Sequence, residues 1–305
     1  MWNLNYSSIS EIADVLKENG LAMTKKFGQN FLTSAPAREK IVSLVKAGEG
    51  DKVWEIGPGL GAITHLLLKE KCSVTAFEID HGFASILRDK AFADEPSFSL
   101  VEGDALDTLF ERPMDAERII GNLPYNVGSV MIARLIENGY LPDLMVFTLQ
   151  KEVAERMSAK PGDDEYSSFS VLTQLDYDNS VAFTIPRTCF YPAPNVDSAV
   201  IVMKRKEKSL VADSDRALFL SMIRALFAQR RKTIRNNLVS SPYFSSKGRE
   251  MIENAFIKAG LSGQERAEAL SFDTLCSLME ALKVRKIKLL EDDLEQLWNS
   301  FPYFS

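Results

Sequence analysis

The sequence predicts an α/β fold with a mostly parallel sheet, followed by a small helical domain. Short, nearly all-apolar runs alternate with helical stretches between residues 50 and 150, as expected for the covered strands of βαβ units. A glycine-rich segment follows the first of these runs and opens a helix. Beyond residue 206 the apolar positions recur every three and four residues, which indicates helices.

The elements follow in order from local signals. In SISEIADVLKENG, Ser8 and Glu11 form a predicted capping-box pair, and Gly20 stands where a C-cap is expected. A second helix, AREKIVSLVKAG, should end near Gly48. The predicted strands are KVWEIG, SVTAFEID, FSLVEGDA, RIIGNL and LMVFTLQ, with SVAFTI and SAVIVMKRK as a closing pair. We place a domain boundary near 206.

Composition limits the classes of function. The chain of 305 residues is 46% hydrophobic and 26% charged, which is typical of a soluble globular protein. It has no apolar run of membrane-spanning length and no signal-peptide pattern, so we expect a cytoplasmic protein without a membrane partner. Three scattered cysteines and two histidines argue against a disulfide framework and a metal site. The net charge is −6, yet residues 204–235 carry ten Lys/Arg against three acidic residues.

The segment EIGPGLGAIT is a loop that can bring backbone amides against a ligand. Gly57, Gly59 and Ala62 satisfy the dinucleotide-binding fingerprint, and Glu78 stands where a ribose-binding acid is expected. The same residues, with Gly61, also satisfy the E-x-G-x-G-x-G loop of S-adenosylmethionine enzymes. The loop therefore predicts a bound nucleoside without saying which one.

Asp104, in VEGDAL, favours the second interpretation. Glu78 and Asp104 should project from successive strand ends into one crevice at the carboxyl edge of the sheet. One acid can hold both ribose hydroxyls, while the other accepts a hydrogen bond from an adenine amino group. No convincing hydride-transfer partner for a nicotinamide cofactor is apparent. The competing interpretation of Asp104 is a helix N-cap.

The segment GNLPYNV ends the fourth predicted strand in the same crevice and suits methyl transfer to an aromatic amine. The Asn122 side-chain oxygen and the Leu123 carbonyl can hold the two N–H groups of the amine. Pro124 fixes the turn, and the Tyr125 ring offers a face for base stacking, worth roughly 1–3 kcal/mol per base. The competing interpretation is a plain strand-ending turn.

A basic stretch lies within MIRALFAQRRKTIRNNL, which we interpret as one amphipathic helix. Its apolar positions take one face and leave Arg230, Arg231, Lys232 and Arg235 largely facing solvent. A charge run is usually just a solvated face. In a chain that also carries a base-methylating site, these cations are candidates for contacts with RNA phosphates.

Eight segments, in order, resemble the ribosomal RNA adenine dimethyltransferases, best the branch that modifies small-subunit RNA. The resemblance covers roughly residues 20 to 280. It implies a Rossmann-like class I methyltransferase sheet, mostly parallel with one antiparallel strand, and a small all-α C-terminal domain. The segments are KKFGQNFL, EIGPGLGAIT, FEID, GDAL, GNLPYNV, QKEVAERM, FYPAPNVDSAV and FAQRRKTIRNNL.

The resemblance also implies an activity, the transfer of two methyl groups from S-adenosylmethionine to N6 of each of two adjacent adenosines. Asn122 to Tyr125 would form the base pocket, and Phe190 would cover the target adenine, with core packing as its competing interpretation. Cofactor contacts carried over by motif fall on Asn30, Leu32, Gly57, Gly59, Glu78, Asp104 and Asn122.

Four segments are expected from these observations: an N-terminal helical extension (1–24), a methyltransferase domain (25–206), a helical RNA-contacting domain (207–283) and a tail without an assigned role (284–305). We expect a monomer that acts on a hairpin loop of small-subunit ribosomal RNA within an immature subunit. Two alternatives stay open. One is a large-subunit methyltransferase of the antibiotic-resistance type, and the other is a non-catalytic RNA-binding or transcription factor derived from this fold.

Overall fold

The structure is a computed structural model that describes residues 2–21, 30–125 and 127–283. In these ranges the strands are β1 (Phe31–Leu32), β2 (Lys52–Ile56), β3 (Ser73–Glu78), β4 (Phe98–Glu102), β5 (Arg118–Asn122), β6 (Leu144–Gln150), β7 (Tyr177–Ile185), β8 (Phe190–Tyr191) and β9 (Ser198–Arg205). The α-helices are α1 (Ile9–Glu18), α2 (Ala35–Val45), α3 (Ala62–Lys69), α4 (His81–Ile86), α5 (Ala105–Thr108), α6 (Gly128–Glu137), α7 (Lys151–Ser158), α8 (Ser168–Asp176), α9 (Asp213–Phe227), α10 (Ile234–Ser240), α11 (Pro242–Ser245), α12 (Arg249–Lys258) and α13 (Phe272–Leu282).

Seven of these strands form one sheet in the order β4-β3-β2-β5-β6-β9-β7. The pairs β2–β3, β3–β4, β2–β5 and β5–β6 are parallel, and β6–β9 is antiparallel. The predicted α/β class, with a mostly parallel sheet, is therefore confirmed. Because the strand order reverses beside β2, the carboxyl ends of β2, β3 and β5 border the crevice where such sheets bind ligands.

Burial follows the position of each strand in the sheet. In β2 and β6 nearly every residue is buried, and helices α2 and α3 contribute to the core cluster on one face. The two edge strands, β4 and β7, are more exposed than these central strands. No residue of β4 is fully buried, and in β7 only Tyr177 and Ile185 at its two ends are. The expectation of covered strands is thus wrong for FSLVEGDA, because an edge strand has a neighbour on one side only.

The N-terminal helix forms half of its predicted capping box. The Ser8 hydroxyl accepts a hydrogen bond from the Glu11 N–H at 3.3 Å. The Glu11 carboxylate, however, accepts from the Asn5 N–H at 3.0 Å rather than from Ser8. Gly20 closes the helix in the left-handed region at φ 66°, as the sequence predicts. Helix α2 ends at Val45, three residues before the expected glycine.

The described residues divide into two units, one within residues 2–154 and 178–205, the other within residues 155–177 and 206–283. Residues 155–177 fall within the predicted methyltransferase domain, whereas the structure groups this segment with the C-terminal helices. An ion pair joins the two parts of this unit, since Arg216 on α9 donates to both oxygens of the buried Asp176 carboxylate on α8, at 3.1 and 2.6 Å. The tail 284–305 and most of KKFGQNFL lie outside the described residues. None of the described helices has the length and apolar character needed to cross a membrane.

Candidate active site

A cavity of about 180 Å³ opens at the carboxyl edge of β2, β3 and β5. Every residue predicted to bind the cofactor or the target base lines it, although these residues come from six separate parts of the chain. They are Asn30, Leu32, Gly57, Gly59, Glu78, Asp104, Asn122, Leu123, Pro124, Tyr125 and Phe190. The structure therefore brings the predicted cofactor and base residues together in one place.

The glycine loop between β2 and α3 forms one wall. Gly59 and Gly61 have φ angles of 58° and 87°, a region that residues with a Cβ rarely adopt. A Cβ at Gly59 would lie 3.2 Å from the Phe31 ring, and one at Gly61 would lie 2.6 Å from the Phe92 ring. The backbone conformation therefore favours glycine at both positions, and at Gly61 close packing also excludes a Cβ.

Glu78, the last residue of β3, is only 4% exposed. One carboxylate oxygen accepts a hydrogen bond from the Gly59 N–H at 3.0 Å, and the other accepts from the Asp80 N–H at 2.9 Å. Burial raises the pKa of Glu78 to about 7, although the two amide hydrogen bonds act in the opposite direction. Glu78 therefore secures the glycine loop, and further donors from a ligand would stabilise its charged form.

Asp104 follows β4 and begins the short helix α5. Its Oδ1 accepts a hydrogen bond from the Leu106 N–H at 2.9 Å, so the N-cap interpretation describes one of its oxygens. The residue also lines the cavity. Within the described ranges no group donates to its Oδ2, which leaves that oxygen for a ligand.

The end of β5 presents two hydrogen-bond acceptors. The Asn122 amide Nδ2 donates to the Asn30 carbonyl at 3.0 Å, and this contact sets which side of the amide carries the free oxygen. Leu123 donates its N–H to the Thr148 carbonyl at 3.2 Å, while its own carbonyl receives no hydrogen bond from any described residue. Two acceptors on consecutive residues match the two N–H groups of an aromatic amine.

The aromatic residues of the site are held by different contacts. The Tyr125 hydroxyl lies 2.8 Å from Ser198 Oγ, which fixes the ring at the cavity wall. Phe190 is 5% exposed and belongs to the same core cluster as Leu32, which faces it across the β1–β8 pairing. Core packing therefore describes Phe190 in this structure, although the residue also lines the cavity.

Among the cavity residues to which the sequence assigned no role, three carry a polar group or stand exposed on the wall. Glu55 is buried, accepts a hydrogen bond from the Thr64 hydroxyl at 2.6 Å, and has its pKa raised to about 7 by burial. It is the glutamate of the glycine motif, for which the sequence indicates no separate role. Ile79 is 44% exposed on the cavity wall, where a ligand would cover it. The sequence signal that could have identified it is an apolar side chain between the two acidic residues of FEID. Tyr6 carried no recognisable signal.

The basic segment is not one helix, so that prediction is wrong. Helix α9 ends at Phe227 and α10 begins at Ile234, with a turn between them. Arg231 and Lys232 are exposed in this turn and make no ion pair with a described residue.

The two other predicted RNA-binding arginines have protein partners. Arg230 pairs with Glu268 at 2.9 Å and also donates to the Asp164 carbonyl. Arg235 donates to the Glu253 carboxylate at 3.0 Å and to the Ser262 carbonyl at 2.7 Å. Its side chain is 24% exposed, so the expectation that it faces solvent is wrong.

Comparisons with known proteins agree with this architecture. A family model described as ribosomal RNA adenine dimethylase matches residues 20–283. The ribosomal RNA small subunit methyltransferase A of Treponema denticola is 43% identical over 272 residues, covering 88% of this chain and 92% of that protein. The protein of the same name from Streptococcus gordonii is 39% identical over 276 residues, with coverages of 88% and 95%.

Two solved structures share the fold. A dimethyladenosine transferase from Plasmodium falciparum has a TM-score of 0.66 at 24% identity, covering 80% of this chain and 94% of that one. The 23S rRNA methyltransferase ErmE has a TM-score of 0.62 at 24% identity, with coverages of 82% and 98%. At this identity the likeness concerns the fold alone. The family model extends over most of the sequence, and the chain therefore belongs to the ribosomal RNA adenine dimethylase family.

Proposed function

We propose that this protein transfers methyl groups from S-adenosylmethionine to N6 of two adjacent adenosines in a hairpin loop of small-subunit ribosomal RNA. The observation that carries this proposal is the single cavity lined by Glu78, Asp104, Asn122 and Tyr125. Its acidic side chains suit a nucleoside cofactor, and its paired acceptors suit an exocyclic amine. Family membership and relatives named for the small subunit support the choice of RNA.

The amine of adenine is a weak nucleophile because its lone pair is delocalised into the ring. The Asn122 oxygen and the Leu123 carbonyl would accept its two hydrogens and aim the lone pair at the methyl donor. Tyr125, held by Ser198, would stack on the base. The rate then comes from positioning rather than from a strong base, since the methylated cation loses its proton readily.

The residues of the cavity fit the proposed cofactor. When bound, S-adenosylmethionine supplies an electrophilic methyl group. Glu78 would accept hydrogen bonds from the ribose hydroxyls, and Asp104 would accept from the adenine amino group. Gly57 and Gly59 have positive φ angles and no Cβ atom, so the backbone of the loop can approach a ligand closely. Asn30 and Leu32 would complete the wall from the segment that Asn122 contacts.

We propose that the substrate is an immature small subunit and that the enzyme acts on it as a monomer in the cytoplasm. A pocket that holds one adenine cannot choose among all the adenines of a ribosome, so the surrounding RNA shape must contribute. We expect unmodified small subunits to be good substrates and a naked short hairpin to be a poor one. Mass spectrometry of RNA after incubation with small subunits, large subunits and the hairpin measures this.

Each outcome of this assay discriminates between functions. Dimethyladenosine at two neighbouring positions of small-subunit RNA supports the proposal. Dimethyladenosine only in large-subunit RNA would favour the antibiotic-resistance type of enzyme. No methylated product in any sample, from protein that binds RNA, would favour the non-catalytic factor.

The exposed cations of the turn between α9 and α10 are proposed to contact phosphates. Each phosphate contact contributes roughly 0.7–0.9 to the slope of log affinity against log salt. Changing Arg231 and Lys232 to glutamine together should therefore lower that slope by roughly 1.4–1.8. Arg230→Gln should change it less, because Glu268 already pairs with Arg230.

The control for this experiment is a double variant of equal charge change, Lys69→Gln with Lys258→Gln, at two exposed positions on α3 and α12. Filter binding or fluorescence anisotropy over a salt series measures the slope. Equal slopes for the turn variant and the unaltered protein would show that the turn is only a solvated surface.

A further inference from the structure

The N-terminal segment, residues 2–21, forms part of the cavity wall. The family model begins at residue 20, so nearly all of this segment lies outside the matched region. Nevertheless Tyr6 and Ile12 line the cavity together with the glycine loop and Glu78. A segment outside the family's matched region therefore contributes surface to the proposed methyl-donor site.

Tyr6 connects this segment to the glycine loop. Its ring is buried, and its hydroxyl donates to the Leu60 carbonyl at 3.1 Å while accepting from the Trp2 indole N–H at 3.2 Å. Leu60 lies between Gly59 and Gly61. The loop is thus held on two sides, since Glu78 binds the Gly59 N–H and Tyr6 binds the next carbonyl.

Arg38, near the start of α2, secures Tyr6 from the other direction. Its buried guanidinium donates to the Tyr6 carbonyl at 3.3 Å and to the Leu32 carbonyl at 2.7 Å. It also donates to the Ser7 hydroxyl at 3.1 Å. Leu32 lines the cavity as well, so one buried side chain joins two parts of the cavity wall.

The segment also packs beside the residues that follow Glu78. Ile12 and Leu16 share a core cluster with Leu60 and with Phe83 on α4. The Leu21 side chain lies so close to Gly82 that a Cβ there would come within 2.2 Å of it. The segment therefore contacts both the glycine loop and the start of α4, the two elements that Glu78 joins through hydrogen bonds to Gly59 and Asp80.

We propose that the N-terminal segment is a wall of the methyl-donor site in this protein. In this arrangement Tyr6 is a positioning residue that sets the donor affinity by holding the Leu60 carbonyl. The inference rests on the proposed function only for the identity of the ligand. Deleting the segment would expose the apolar cluster it covers, so point variants of the full chain are the suitable test.

The variant Tyr6→Phe keeps the buried ring and removes only the hydroxyl. Loss of one hydrogen bond to the loop should weaken S-adenosylhomocysteine binding roughly threefold to tenfold, measured by calorimetry. In methylation assays the KM for S-adenosylmethionine should rise by a similar factor, while kcat and the KM for small subunits stay unchanged. A merely structural defect would instead lower the active fraction and leave both KM values as they were.

Asp14→Asn is the matched control, because Asp14 is exposed on α1 of the same N-terminal segment and does not line the cavity. Arg38→Gln removes the guanidinium that binds the Tyr6 and Leu32 backbone carbonyls, so it should also weaken S-adenosylhomocysteine binding. Unaltered affinity in both Tyr6→Phe and Arg38→Gln would overturn the inference, as would an equal loss in Asp14→Asn. Failure of the unaltered protein to bind S-adenosylhomocysteine would instead overturn the proposed cofactor. Circular dichroism at the calorimetry temperature establishes that each variant is folded.

Discussion

Replacing Asn122 by alanine should slow methyl transfer by roughly 10²–10³-fold, the cost of losing one preorganised polar contact at a reacting centre. The affinity for S-adenosylhomocysteine should change little. The reason lies in the hydrogen bond from Asn122 Nδ2 to the Asn30 carbonyl, which directs the amide oxygen toward the proposed position of the amine. Without that oxygen only the Leu123 carbonyl would remain to orient the two N–H groups.

Single-turnover rates with unmodified small subunits, together with calorimetry, separate the two effects. Asn138→Ala makes the same substitution at the exposed end of α6 and should change neither quantity. Asn122→Asp keeps an acceptor but loses the donor to Asn30, so its rate should fall between those of alanine and asparagine. A loss of cofactor affinity as large as the loss of rate would assign Asn122 to the cofactor instead.

The sheet and the position of the site residues at one edge of it were predictable, because both follow from the pattern of apolar runs in the sequence. Buried parallel strands need apolar residues on both faces, which leaves continuous apolar runs in the sequence. The carboxyl ends of such strands lie at one edge of the sheet. Glu78, Asp104 and Asn122 each stand at or just after the end of one of these runs, and the structure brings them to one cavity.

The pairing of β1 with β8 was not predictable from local patterns. Each strand has only two residues, which is too short for an alternation of apolar and polar side chains to appear. The pairing joins Phe31 to Tyr191 and Leu32 to Phe190, far apart in the sequence. Only this long-range contact places Phe190 beside Leu32, and so it alone decides that Phe190 is part of the core.

The break between α9 and α10 was hidden by a coincidence of spacing. Phe227 and Ile234 are seven residues apart, nearly two helical turns, so the apolar pattern continues across the turn as if one helix ran through it. A signal for the second start was present in Thr233, whose hydroxyl accepts a hydrogen bond from the Asn236 N–H at 3.3 Å. An N-cap residue within an apolar repeat therefore indicates that a second helix begins there.

Glu78→Ala should weaken S-adenosylhomocysteine binding by roughly a hundredfold, since hydrogen bonds to a charged group contribute about 1.5–3 kcal/mol each. Removal of the carboxylate also frees the Gly59 N–H, so the glycine loop loses one of its anchors. Glu102→Ala is the matched control, because Glu102 faces Glu78 directly in the β3–β4 register but lies outside the cavity. If both variants bound the cofactor equally well, Glu78 would have no part in binding it.

The same carboxylate should make cofactor affinity depend on pH. Burial raises the pKa of Glu78 to about 7, so the group is mostly protonated at pH 6 and mostly ionised at pH 8. Ribose hydroxyls donate hydrogen bonds best to the ionised form, so affinity should rise from pH 6 to pH 8 and then level off. The free protein should show the opposite trend. A carboxyl group whose pKa is raised on folding holds its proton more tightly in the folded state, so stability falls as pH rises from about 4.5 to 7. Calorimetry across this range should show the rise in affinity for the unaltered protein and a smaller rise for Glu78→Gln, in which only Glu55 of these two buried cavity carboxyls still titrates. An equal rise in both proteins would assign the ribose contact to another residue.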